Sequence, residues 1–284
     1  MKRLLPLTCL VAAIALAGTG YWLLTVETDF AVPAVAKTGS TPAAAGLAGE
    51  LRTARRSCVL ANVDAVLTRI RSACTDHPDD RESWHLLAEA HLERSLLRSH
   101  DLGIKVGAPA FPTPPPELVA DLEAGLAAAA RARQLGDASS DLFRIEAGLM
   151  SQRITGLATA LQWNGRIQDA LRRAGEIADD NPHLHVALGL RRLLAPKLLG
   201  HDPEHALTHF EFAAKVLVDD ERPAVFAAMA SWLAKRRLVA IGWLEQAVAR
   251  NPENRFARAV LARLRAGEDD PFGRDLTDAE AGRR

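Results

Sequence analysis

The sequence has little alternating Val, Ile or Thr, and it has one tyrosine. Without that alternation a sheet is unsupported, and an Ala- and Leu-rich helical chain is left. Neither charge is in excess, because 35 Lys and Arg balance 35 Asp and Glu. That removes the basic footprint of a nucleic-acid binder and the composition of an acidic solvating tail. No Gly-x-Ser-x-Gly, Walker loop or dinucleotide fingerprint occurs. The chain therefore carries no recognisable catalytic constellation and reads as no enzyme, with no cofactor. Cys58 and Cys74 lack Cys-x-x-Cys spacing, and the Asn62–Cys74 helix holds them apart. Two separate buried thiols are the expectation.

What the chain does have is apolar material, 48% of its residues, enough for a packed core. Charge is absent from Leu4 to Val26, just after Met1-Lys2-Arg3. An uncharged run of that length can cross a bilayer as a helix, with Tyr21 and Trp22 near the far interface. The basic start would stay cytoplasmic and the rest would be exported. The competing reading is a signal peptide cut after Ala15-Leu16-Ala17. Residues 1–26 are thus an anchor in the bacterial inner membrane or a signal sequence. Residues 27–46, rich in Pro, Gly, Ser, Thr and Ala, read as a flexible linker.

From Leu47 the chain keeps time. Pro78, Pro182 and Pro252 each end a helix-like run, at gaps of 104 and 70 residues, near three and two multiples of about 35. Ala206-x3-Phe210-x2-Ala213 returns 34 residues later as Ala240-x3-Leu244-x2-Ala247, and Ala170-x3-Ala174 lies 36 earlier. The spacing predicts an all-α, right-handed, tetratricopeptide-like solenoid over 47–266, of about five hairpins and a capping helix. Ser139 or Ser140, and Asp202 before Pro203, are expected helix caps. One stretch breaks the pattern: 99–116 holds five prolines and two glycines and reads as a loop insertion. Residues 267–284 read as a mobile tail.

Two segments carry a finer resemblance. DHPDDRESWHLLAEAHL, followed by the proline-rich break and LVADLEAGLAAAARARQLG, is one; LGLRRLLAPKLLGHDPEHALTHFEFAAKVL, with Pro196 and Gly200-His201-Asp202, is the other. Over roughly 75–265 the chain resembles the T component of TRAP-type transporter systems and the related regulator-of-microtubule-dynamics tetratricopeptide proteins. Where that family usually has two glycines, His201 stands in place of the second. The resemblance implies an all-α periplasmic scaffold, with a cleft for a hydrophobic or peptide-like ligand and no catalysis.

First helices line the inner face of such a stack. Counting from the helix starts puts His85, Glu89, Arg191, Met229 and Trp232 there, and Phe111 on the loop expected to fold over it. These six are the candidate binding residues for a protein partner or a small hydrophobic ligand. His201, His205 and His209 share a spacing of four and so one helix edge. Ala206 occupies the place of a zinc protease's glutamate, so a histidine ladder without metal is the reading kept. Paired acids such as Asp179-Asp180 and Asp219-Asp220 sit at helix ends and read as caps.

Overall fold

A computed structural model describes residues 42–196 and 200–283. The expected anchor or signal segment, and most of the expected linker, lie outside the described residues. Those residues form one compact, all-helical unit with no strand among them. Its helices are α1 (Pro42–Arg56), α2 (Leu60–Asp76), α3 (Arg81–Arg98) and α4 (Pro116–Gln134). Then come α5 (Ser140–Ser151), α6 (Leu157–Ile177), α7 (Pro182–Leu194) and α8 (Pro203–Val216). The chain ends with α9 (Arg222–Leu233), α10 (Arg237–Arg250), α11 (Arg255–Ala266) and the short α12 (Asp278–Ala281). None of the described helices is long and apolar enough to cross a membrane.

The helices pair in order as α1/α2, α3/α4, α5/α6, α7/α8 and α9/α10, and α11 covers the last pair. Each first helix also packs on the next first helix, which makes the stack. Five hairpins and a closing helix agree with the repeat spacing. Local chemistry sets the boundaries. Ser139, Asn181, Asp202 and Asn254 each accept a backbone N–H as N-caps, and proline stands in the first turn of α4, α7, α8 and α9. α1 starts at Pro42, inside the expected linker, and α6 starts six residues before Trp163.

The repeated small-large-small triplets are the packing seams. Ala206, Phe210, Ala213, Ala240, Leu244 and Ala247 are all at 0% exposure. α7 meets α8 so closely that a Cβ on Gly189 would lie 2.6 Å from the Phe210 ring. Three apolar clusters follow one another along the stack, in α1–α5, in α5–α7, and from α7 to the C-terminal segment.

The stack also closes on itself. The turn after α1 docks on the far hairpins: Arg56 donates to Arg250 O at 2.6 Å, and Asn251 Nδ2 donates to Arg56 O at 3.0 Å. Arg255 donates to Cys58 O at 2.8 Å and to Asp101 Oδ1 at 2.5 Å. Across the interior, Arg222 of α9 reaches both carboxylate oxygens of Glu93 in α3 at 2.9 Å, and also Asp220 at 2.8 Å. Arg55 completes the knot on Asp220 at 3.3 Å.

The proline-rich insertion and the C-terminal segment are part of this closure. Ile104 N–H donates to Phe272 O at 2.8 Å, Leu276 N–H to Asp101 O at 2.8 Å, and Gly107 N–H to Leu194 O at 3.0 Å. Gly103 lies so near the backbone of Gly273 that a Cβ would come within 2.4 Å of its carbonyl carbon. Phe272 and Leu276 are buried. Residues 267–283 are therefore an ordered strap and not the mobile tail read from composition. Cys58 and Cys74 are buried and unpaired, and burial pushes both thiols up to about 11. Neither is a ready nucleophile.

Candidate functional site

Polar side chains in and just before successive first helices form a row. His85, one turn into α3, hydrogen-bonds through Nδ1 to Asp137 Oδ2 at 2.7 Å, and Ser139 N–H holds Asp137 Oδ1 at 2.9 Å. From α5, Arg144 donates to Asp141 Oδ1 at 3.0 Å. Asn181, the cap of α7, approaches the same oxygen at 3.4 Å and Ser140 Oγ at 3.0 Å. His183 follows in α7, within the field of Arg144, Asp141, Arg222 and Asp220. The Arg222–Glu93 bridge ends the row.

Electrostatics follow from burial and these partners. Burial works against the protonated form of His85, but the Asp137 bond and charge outweigh it and its pKa rises. Burial would raise Asp137, yet its bonds to His85 and Ser139 bring it down to about 2. Each partner therefore favours the charged form of the other. Burial drives His183 down to about 4, with Arg144 adding to the effect. His100, at the closure, falls to about 4 through burial and the Arg255 charge. Arg222 is held charged far above its ordinary range by Asp220 and Glu93, against its own burial.

Among the six expected residues, the structure brings together two pairs. His85 and Glu89 stand one turn apart on α3, and the Glu89 charge supports protonated His85. Met229 and Trp232 line a recess of about 200 Å³ with Ile104, Val106 and Asp270. Met229 itself is only 1% exposed and belongs to the core. Phe111 packs on the N-terminal cluster, and Arg191 is exposed on α7. The insertion makes its backbone bonds to Leu194 and Phe272, whereas His85 and Glu89 stand in the opposite half of α3. Sequence reading missed Asp137, Asp141, Arg144, His183, Glu93 and Arg222. Several lie in or just before the first turns of successive first helices, a register that correct helix starts would have supplied.

The histidine ladder is rearranged. His201 bonds to Leu193 O at 2.9 Å, while His209 stacks on His205 and meets His185 Nδ1 at 3.0 Å. No group of three or more His, Cys, Asp or Glu among the described residues is arranged to hold a metal.

No protein-family model matches the chain, and no curated protein matches it. Solved structures do. A thermophilic TPR protein from Thermus thermophilus superposes with a TM-score of 0.55 at 16% identity, covering 78% of this chain and 99% of its own. YrrB, described as a TPR protein with an unusual peptide-binding site, aligns at 12% identity with a TM-score of 0.37, covering 78% and 90%. The first likeness establishes a TPR-like helical-hairpin fold.

Acid should destabilise this protein in a defined window. A histidine whose folded pKa lies below its unfolded value contributes nothing at neutral pH. Stability then falls as the unfolded chain binds protons that the native state refuses. For His100 and His183 that window runs from the ordinary value of 6.5 down to about 4. Each takes on the order of 3 kcal/mol across that window. His85 has the opposite sign, with its contribution intact below 6.5 and lost as pH rises through its raised value. Urea unfolding at pH 7.0, 5.5 and 4.5 should show a steep loss that the double variant H100N/H183N flattens. A slope unchanged in that variant would place the acid sensitivity elsewhere.

Proposed function

We propose that this chain is a non-enzymatic scaffold that binds a protein partner along its inner face. The observation that carries the reading is the row His85–Asp137, Asp141–Arg144, His183 and Arg222–Glu93 on successive first helices. A row of fixed donors and acceptors suits an extended peptide better than a reacting centre. It holds no activated nucleophile, and its acids are already paired with bases. Glu89, half-buried, takes part in none of these hydrogen bonds and is the group best placed to read a partner's donor.

The uncharged Leu4–Val26 run supports the further proposal that the scaffold is exported and tethered to the inner membrane, or released to the periplasm if that run is cleaved. The second reading, a small-ligand accessory of a transport or cofactor-biogenesis system, rests on the recess beside Trp232. At about 200 Å³ it is smaller than the roughly 300–1,000 Å³ of typical ligand sites, so the protein partner is preferred. Capture from detergent-solubilised membranes with the full chain and with E89R tests it. A partner recovered stoichiometrically by the native chain and lost in E89R supports the inner face. Equal recovery by both would sink it.

A further inference from the structure

The middle of the stack carries a second polar surface, on the flank where α4 and α6 both lean on α5. Arg133 of α4 and Arg173 of α6 each place a guanidinium over the Phe143 ring, at 5.8 and 5.9 Å. Farther along, Arg153 and Arg166 lie over Trp163, at 4.9 and 4.8 Å. Residues 163, 166 and 173 are spaced by three and seven, so they share one edge of α6 over about 15 Å. Two acids answer these four cations: Glu146 pairs with Arg133, and Glu123 approaches Arg153 at 3.6 Å. Arg166 and Arg173 form no ion pair among the described residues and are exposed. Burial lowers the pKa of Arg133, and so do the charges of Arg173 and Arg166. The guanidiniums of Arg173 and Arg166 therefore repel that of Arg133 across this strip, and an anion placed among them would relieve that repulsion.

We propose that this α4–α6 strip docks an acidic segment of a partner protein, with its carboxylates on Arg133, Arg166 and Arg173. The proposal goes beyond the inner-face reading, because it uses another surface. A stacked nucleobase is a poor fit: guanidiniums already lie over both aromatic rings. An anionic membrane is also disfavoured. Glu123 on the α4 side, and Asp169 and Glu176 on α6, are 59–69% exposed around the strip and would meet the headgroups. A linear row of cations about 15 Å long, edged by acids, instead matches a single extended chain. Planar guanidiniums hold carboxylates bidentately, so glutamate or aspartate side chains are suitable ligands.

The test is fluorescence anisotropy with the full chain and a labelled octaglutamate peptide, at low and at physiological salt. The native chain should bind saturably, more weakly as salt rises. R166E/R173E should weaken binding more than tenfold. R52E/R258E, which changes net charge equally at two exposed arginines elsewhere, should change it less than twofold. The E89R variant should bind the peptide as the native chain does, which separates this strip from the inner face. Circular dichroism checks the fold, and R166Q/R173Q replaces the reversal if that variant unfolds. Equal loss in both charge-reversal variants, or no saturable binding, would overturn the proposal. So would arginine-dependent binding to phosphatidylglycerol vesicles without peptide binding.

Discussion

Replacing Arg222 by alanine should cost about 3–5 kcal/mol of unfolding free energy, the range for breaking a buried ion pair by removing one partner. Arg222 bridges the two ends of the stack. It meets Glu93 with two bonds of 2.9 Å and Asp220 with one of 2.8 Å, and both acids are at least 92% buried. Without it those carboxylates face each other, with only Arg55 near Asp220 as a cation. Equilibrium urea unfolding measures the effect. The loss should shrink as pH is lowered, because Asp220, which Arg222 holds far below the usual carboxylate range against its burial, can take a proton once that cation is gone. A cost below about 1 kcal/mol at pH 7 would mean that the closure adds nothing to stability.

The second large effect concerns the C-terminal strap. Arg263 of α11 is 2% exposed and donates five hydrogen bonds. Two go to Glu280, at 2.8 and 2.7 Å, and three to the carbonyls of Pro271, Arg274 and Asp275, each at 3.0 Å. Its bonds, then those of Arg274, hold Glu280 far below the usual carboxylate range. In R263A the strap loses its pin, and burial of Phe272, on the order of 2–3 kcal/mol, no longer holds it. Trypsin should then cleave at Arg274 while leaving the stack intact. Amide protection at Ile104 should fall too, because that N–H donates to Phe272 O. Protection of Ile104 unchanged in R263A would show that the insertion is held by other contacts.

That His85 and Glu89 stand one turn apart on α3 was legible, because helix counting from Asp79-Asp80 places residues on a face. Met229 was misplaced by the same counting, since α9 is apolar on every side and its periodicity names no outer face. Phe111, expected on a loop over the inner face, packs on the N-terminal cluster, and a proline-rich loop has no period from which that contact could be counted.

The sequence by itself determined the hairpins. Helix caps, prolines in first turns and small residues every 34 positions act over a few residues or between neighbouring helices, so their physics is readable locally. Only the tertiary structure decided that the stack closes. The bonds Arg222–Glu93, Arg255–Cys58 and Asn251–Arg56 join residues 129 to 197 positions apart. They form only once small rotations between successive hairpins have added up to bring the ends together. The strap and the insertion were opaque for the same reason. Their Gly, Pro and Asp content describes a loose chain, and they gain order from each other and from α9 and α11.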